Sequence, residues 1–323
     1  MFKKIASFLL CICLISSVAL CLCSCDEDEG DNYPVTVADV TIEAEPLNIV
    51  VLSDSMADII SYMGYDVKMV GRSVETDQPF LAVVPTVGTA TAPDIKAIIS
   101  YETDLVIAEN TLSDSTKKAL SDAGIPVLVL KEATSMEELK TLYTNLGTAL
   151  GGNVTGKTKG EESYDEFNTT LSDYNNAIPS NVVKTACYLY LDEQGTLCSF
   201  ANGTLEHKLF SYCGAINSLS SQETNEVDLN NLKISTPTYI FYDSPQVLDY
   251  LNANSELSSM GALQNGNIYQ VKKSDFSRLG TTTEENIYQM ISFMFIEDKA
   301  TPDEATPDTA QTETLPEASY SFS

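Results

Sequence analysis

Apolar and polar positions along this chain alternate between two rhythms. Short segments of buried-strand character, Leu47–Leu52, Asp66–Val70, Asp104–Ala108 and Val127–Leu130, are separated by stretches with helical spacing. Ser53 and Asp54 cap a helix predicted over Ser55–Met63 and stopped by Gly64. A short helix begins at Asp94, and another spans Ser113–Ala123 before Gly124. The capping box Thr134-Ser135-Met136-Glu137 starts a helix that runs to about Leu150. Strands alternating with helices predict an α/β fold with a mainly parallel sheet covered on both faces.

A different pattern follows. From Asn153 to Ile178 the apolar residues Tyr164, Phe167, Leu171, Tyr174 and Ile178 recur three or four apart, drawing one narrow stripe on a helix. Lys157, Lys159, Glu161, Glu162, Asp165, Glu166 and Asp173 fill the other faces, which must be solvated. About 23 helical residues reach roughly 35 Å, the width of a small domain. A helix too polar for a core, set between two apolar α/β halves, is expected to be a strut joining two lobes. An ordinary surface helix of one large domain is the alternative. Beyond Pro179 the α/β rhythm restarts, with strands at Val182–Leu191, Thr238–Tyr242 and Ile268–Val271. Helices are predicted at Thr204–Tyr212, Gln246–Asn252 and Glu284–Phe295, and a turn at Asp192–Gly195. Asp94-Ile95-Lys96-Ala97-Ile98 before one strand is echoed by Asp228-Leu229-Asn230-Asn231-Leu232 before another. This weak internal repeat is consistent with two similar lobes.

The two ends depart from both rhythms. Met1-Phe2-Lys3-Lys4 is a basic start and Ile5–Leu22 an apolar stretch, the pattern of a secretory signal. It ends Leu22-Cys23-Ser24-Cys25, which resembles the lipobox of bacterial lipoproteins. The resemblance implies cleavage before Cys25 and a diacylglycerol on its thiol, anchored by about 0.8 kcal/mol per buried methylene. An uncleaved membrane helix is the alternative. Asp26 to about Glu45 is acidic and lightly apolar, and reads as a tether. From Ala300 the Thr, Pro, Glu and Asp content predicts disorder. The expected organisation is a signal over 1–24, a tether over 25–45, a first lobe over 46–152, an interlobe helix over 153–178, a second lobe over 179–299 and a tail over 300–323.

Composition narrows the chemistry. Apolar content of 43% is that of a globular protein. A formal charge of −28 argues against nucleic acid and against polybasic membrane contact. Five of eight cysteines lie at or before Cys25, leaving Cys187, Cys198 and Cys213. They are read as buried free thiols, with one disulfide plus one free thiol as the alternative. His207 is the one histidine, so the His and Cys clusters of a bare transition-metal site are missing. It falls within a helical pattern, as a surface histidine rather than an axial haem ligand. A surface hydrolase is disfavoured because Gly-x-Ser-x-Gly is absent and one histidine leaves little from which to build a triad. A glycosidase-like carboxylate pair stays open, since acids are everywhere.

Several stretches together resemble one family. They are Ile49-Val50-Val51-Leu52-Ser53-Asp54-Ser55, Val70-Gly71-Arg72-Ser73, Thr86-Val87-Gly88-Thr89, Pro93-Asp94-Ile95, Thr103-Asp104-Leu105-Val106-Ile107 and Ala123-Gly124-Ile125-Pro126-Val127. With the lipobox, their order resembles the helical-backbone solute-binding lipoproteins of ABC importers, over about Pro46 to Glu297. The resemblance implies two Rossmann-like lobes joined by one long helix, closing on a ferric siderophore, haem or cobalamin in the cleft between them. It implies a monomer without intrinsic cofactor, anchored on the extracytoplasmic face and partnered by an ABC permease and ATPase. A ligand site at strand carboxyl ends then draws on Ser53, Ser55, Arg72, Gln78, Thr89 and Asn110 in the first lobe. The second lobe supplies Gln194, Asn202, Tyr242 and Arg278. Two arginines there suit an anionic ligand. The family docks on its permease through an acid near the start of a short helix in each lobe. The matching positions here are Lys96 and Asn230, so Asp94 and Asp228 are the substitutes, or else simple helix caps. A sensing or structural lipoprotein on the same fold is the alternative that Lys96 and Asn230 suggest.

Overall fold

The computed structural model of the protein describes residues 32–296. The signal segment, Cys25, the start of the tether and the acidic tail lie outside the described residues. The rest of the tether is folded, which corrects the expected boundary at Glu45. β1 (Val35–Val37) and β2 (Val40–Ile42) pair antiparallel, and Val35, Val37 and Ile42 are buried in the main core. Alternate β-branched residues suffice to seat a hairpin of this size, although the acidic residues around it mask the signal.

The first lobe runs β3 (Ile49–Leu52), α1 (Asp54–Tyr62), β4 (Met69–Arg72), α2 (Ile95–Ser100), β5 (Leu105–Ala108), α3 (Asp114–Asp122) and β6 (Val127–Val129). Its four strands are parallel in the order β4-β3-β5-β6. Residues 66–68 form a 3-10 turn, so β4 starts at Met69 rather than Asp66. The strand pleat sends Ile49, Val51, Leu105, Ile107 and Leu128 to the main core. Val50, Leu52, Val106 and Ala108 point the other way, onto Ile98 of α2 and Leu120 of α3. Burial on both faces is why these strands read as unbroken apolar runs.

α4 (Met136–Gly151) leads through a π-turn over Gly152–Gly156 into α5 (Lys157–Asn176), the long interlobe helix. The capping box sits one residue later than expected. Ser135 Oγ accepts from Glu138 N at 3.2 Å, and the Glu138 carboxylate accepts from Thr134 N at 2.8 Å. α5 is no isolated strut: it folds back along α4, with Lys140 Nζ 3.1 Å from Asp165 Oδ1. Glycines let the two backbones touch. A Cβ on Gly160 would lie 2.9 Å from the Tyr143 carbonyl carbon, and one on Gly147 would strike the Gly156 carbonyl oxygen. The predicted stripe is the buried one, with Tyr164, Phe167 and Leu171 in the core and Tyr174 and Ile178 partly covered.

The second lobe runs β7 (Thr185–Leu191), β8 (Leu197–Cys198), α6 (Leu205–Ser211), β9 (Ile216–Asn217), α7 (Leu229–Ser235), β10 (Tyr239–Tyr242), α8 (Pro245–Ala253), α9 (Gly261–Gln264), β11 (Ile268–Gln270), α10 (Lys273–Ser277) and α11 (Thr281–Ile291). β9, β7, β10 and β11 are parallel neighbours in that order, and β8 turns back antiparallel on the end of β7. Numbered within its own lobe, each parallel sheet has the order 2-1-3-4. The short Asp94/Asp228 echo thus belongs to a repeat of topology. Tyr188 and Phe241 face the same core as Ile49 and Ile107, while Leu189 and Ile240 face Leu232 of α7 and Leu251 of α8. One apolar core therefore runs through both lobes. Cys187, Cys198 and Cys213 are buried free thiols.

Candidate functional site

In a 2-1-3-4 parallel sheet the crossovers leave strand 1 in opposite directions, opening a crevice at the carboxyl ends of strands 1 and 3. In the first lobe that crevice carries Ser53-Asp54-Ser55 after β3 and Glu109-Asn110 after β5; in the second it carries Asp192 after β7 and Asp243 after β10. Ser53 caps α1: its Oγ accepts from Met56 N at 3.3 Å and donates to Glu109 Oε2 at 3.0 Å. Ser55 Oγ stands 3.4 Å from Ser53 Oγ. Both serines are buried.

The lobes meet along one face of α1. Asp54, Asp58 and Tyr62 are four residues apart, hence stacked on one stripe. Arg278 Nε donates to Asp54 Oδ2 at 3.0 Å. Thr282 donates to Asp58 twice, from N at 3.2 Å and Oγ1 at 2.7 Å, so a first-lobe carboxyl caps the second lobe's last helix. Tyr62 OH donates to Glu284 Oε1 at 2.8 Å. Burial pushes the Asp58 and Glu284 carboxyls up to about 7, against the pull of these same hydrogen bonds. Tyr143 OH adds a bond to Leu279 O at 2.7 Å.

Both arginines of the expected site are held by the protein itself. Arg278 is buried; besides Asp54 it donates from Nη1 to Asp275 at 3.0 Å and from Nη2 to Asp77. Lys272 Nζ also reaches Asp77, at 3.2 Å. Arg72 donates from Nε to Leu81 O and Val84 O, and from Nη1 to Ser73 O and Thr76 O, tying down the loop after β4. Gln78 lies buried in that loop, its Nε2 donating to Asp54 O at 3.2 Å and its Oε1 without a partner. Thr89 accepts from Ala92 N within its own turn. Asn110, Gln194 and Asn202 are exposed on loops. Tyr242 packs into the second lobe's outer cluster with Ile240. His207 lies in α6 with Nδ1 3.4 Å from Asn217 Nδ2. Asp94 and Asp228 are exposed N-caps, accepting from Lys96 N at 2.9 Å and Asn230 N at 2.8 Å.

Two residues not anticipated, Glu132 and Lys273, add to these loops. Partial burial raises the Glu132 carboxyl, the charges of Glu109 and Glu206 raise it further, and Lys273 opposes them. Loops of both lobes meet where Lys272 and Arg278 reach Asp77 and Asp54. Lys273 Nζ lies 4.4 Å from the centroid of the Tyr190 ring, and its backbone N donates to Asp243 Oδ1 at 2.7 Å. Glu132 follows β6 and Lys273 follows β11, so the rule that singled out Asn110 also reaches them. Among the described residues no group of three or more His, Cys, Asp or Glu is placed to hold a metal ion.

The sequence family described as periplasmic binding protein matches residues 49–274. The chain is 35% identical over 128 residues to the Bacillus subtilis uncharacterized ABC transporter substrate-binding lipoprotein YvrC, a match covering 37% of this chain and 40% of that relative. It thus spans less than half of YvrC's length. Over 257 residues it is 22% identical to the Fe(3+)-citrate-binding protein YfmC of Bacillus subtilis, covering 74% of this chain and 77% of YfmC. The crystal structure of the periplasmic heme binding protein HutB of Vibrio cholerae superposes with a TM-score of 0.63 at 17% identity, over 77% of this chain and 99% of HutB.

Proposed function

This chain belongs to the periplasmic binding protein family, and from that premise we propose that it is the substrate-binding protein of an ABC importer. Its substrate is a small metal chelate, such as a ferric siderophore, haem or cobalamin, captured between the lobes. The observation that carries this is the pair of 2-1-3-4 parallel sheets joined through a single long helix, with Arg278 of the second lobe paired to Asp54 beside the carboxyl end of β3. The family is one of binding proteins, which leaves the hydrolase without support. Cys25 is the lipid anchor on the extracytoplasmic face. The relative YvrC is a lipoprotein by name, and the lipobox-like run supports the same reading here.

Docking on the permease uses the exposed tips of α2 and α7, where the Asp94 and Asp228 caps keep a carboxylate oxygen toward solvent. Lys96 and Asn230 at the usual acidic positions favour a second reading, a sensor on the same fold; a neighbouring permease and ATPase gene pair argues against it. The test is thermal unfolding of the full chain in mild detergent against ferric siderophores, haem and corrinoids. A ligand at a hundredfold its dissociation constant stabilises by about 2.7 kcal/mol. No shift with any member, from folded protein, would overturn the metal-chelate reading.

A further inference from the structure

We infer that the base of the molecule, the side on which the parallel strands of both lobes begin, rests on the lipid surface, so that the strand carboxyl ends and the tips of α2 and α7 point away from the bilayer. This rests on the lipid anchor at Cys25 proposed above and goes beyond it, naming the protein surface that meets the membrane. Two independent observations carry it.

The first is where the chain enters the folded body. Asn32 is clamped to the turn between α4 and α5: its Oδ1 accepts from Val154 N at 3.1 Å and Thr155 N at 3.4 Å, and its backbone O accepts from Asn153 N at 3.0 Å. Gly152, at φ +88°, makes room for it, since a Cβ there would lie 2.6 Å from Asn32 Cβ. Tyr33 OH donates to Ala149 O at 3.1 Å, and Val35, Val37 and Ile42 then bury the hairpin in the core. This turn belongs to the base, because Lys68, just before β4, donates to Leu150 O at the end of α4 at 2.6 Å. Asn32 stands seven residues after Cys25, a span of at most about 25 Å at full extension. α4 runs from beyond the carboxyl end of β6 down to the base and is itself roughly 24 Å long. The link to the lipid is thus no longer than the lobe is tall, and it holds the base against the bilayer.

The second is where apolar side chains are exposed. Leu47 and Val67 stand two residues before Ile49 and Met69, which pair at the start of β3 and β4, and Val67 is 86% exposed. Val154 is exposed on the clamped turn itself. In the second lobe Val183 precedes β7 and Ile216 opens β9 beside it, with Ile216 N donating to Lys184 O at 2.9 Å. Ile234, near the end of α7 and shortly before β10, is 79% exposed. Val74, Phe80 and Val83 are exposed on the opposite side, but all in the one loop after β4. The tips of α2 and α7 also lie on that opposite side: Asp94 N donates to Val87 O beside the end of β4, and Val227 N to Leu197 O beside the end of β7. Apolar residues exposed at the base of both lobes, around the point where a lipid-bearing segment arrives, mark a membrane contact. Among the described residues no helix is long and apolar enough to cross a membrane, so the contact is with its surface. In this orientation the protein is set for capture, and delivery to a permease requires the body to lift off and turn.

The experiment uses the full chain, lipidated in a bacterial host and reconstituted in phosphatidylcholine liposomes that contain a headgroup nitroxide quencher. Fluorophores are placed on V67C or V183C at the base and on V83C on the other side; Cys187, Cys198 and Cys213 are buried and leave the label to the introduced thiol. The base labels should be quenched roughly threefold more than the V83C label. L47S/I234S, checked for an unchanged melting temperature, should weaken quenching of the V67C label about twofold. If the V83C label is quenched as strongly as the base labels, the orientation is wrong while the anchor stands. If the serine variant changes nothing, the apolar contact is wrong. If the base labels escape quenching and sedimentation shows a dimer, the base meets a second copy and the lipid assignment is overturned. If mass spectrometry finds no lipid on Cys25, the anchor fails and the orientation with it.

Discussion

Replacing Asp58 by asparagine should stabilise the protein at pH 8 and leave it nearly unchanged at pH 4. Asp58 is wholly buried, and its carboxyl is lifted from 3.8 to about 7 by loss of water. The folded state therefore holds a proton on Asp58 that the unfolded chain has released. Between pH 4 and 7 the folded state binds more protons, so stability falls as pH rises. Asp58's contribution is fully present below pH 3.8 and is lost as pH climbs through about 7. The whole window corresponds to a ceiling of ~4 kcal/mol. Asparagine copies the protonated acid: Oδ1 can accept from Thr282 N while Nδ2 donates to Thr282 Oγ1, and nothing ionises. The assay is urea unfolding of wild type and variant at each pH unit from 4 to 8. The difference between the two curves isolates Asp58 from Glu284, Asp54 and Asp275, which burial also raises. The variant's advantage should grow with pH and exceed ~1 kcal/mol by pH 8, a quarter of that ceiling. A flat difference, or a wild type that gains on the variant as pH rises, refutes the reasoning.

Four further outcomes follow from the packing. Gly160→Ala drives a methyl into the Tyr143 carbonyl across the α4–α5 hairpin and should cost ~1–3 kcal/mol in urea unfolding; a neutral result would mean the helices are not in backbone contact. Arg278→Ala leaves Asp54, Asp77 and Asp275 facing one another with only Lys272 nearby and should cost ~3–5 kcal/mol, seen as a lowered melting temperature. The α1 contacts and the shared core hold the lobes together, so small-angle scattering should show little change in radius on ligand binding; a large contraction would count against a rigid interface. Burial pushes the Cys187 thiol far up and that of Cys213 up to about 12, so both should resist alkylation at pH 8 until the chain unfolds, as peptide mass spectrometry would show.

Much of the fold was legible because its parts are local. Ser53, Asp94, Ser113 and Asp228 announce helix starts by bonding a backbone N–H two or three residues on. The stripe from Tyr164 to Leu171 announces a half-buried helix by its spacing. β9 was not legible, since two residues have no period of their own and are held as strand only by β7. The folded hairpin over Val35–Ile42 was hidden by its acidic surroundings. The site was legible as places rather than roles. Arg72 closes β4, whereas Arg278 lies beyond α10, which follows β11, and a lone arginine does not disclose which acceptors will surround it.

By itself, then, the sequence determined the α/β class, the two lobes, the long helix between them and the loops from which a cleft is built. All of these follow from hydrophobic period and capping, which act over a few residues. Only the tertiary structure decided that α5 doubles back on α4, that Asp58 caps a helix 224 residues away, and that the arginines are consumed by Asp54, Asp77, Asp275 and loop carbonyls. Such facts depend on which groups meet across long stretches of chain, and burial then sets their charge state. The roles of the arginines belong to that second kind: they depend on which charges pair once the lobes pack on one another.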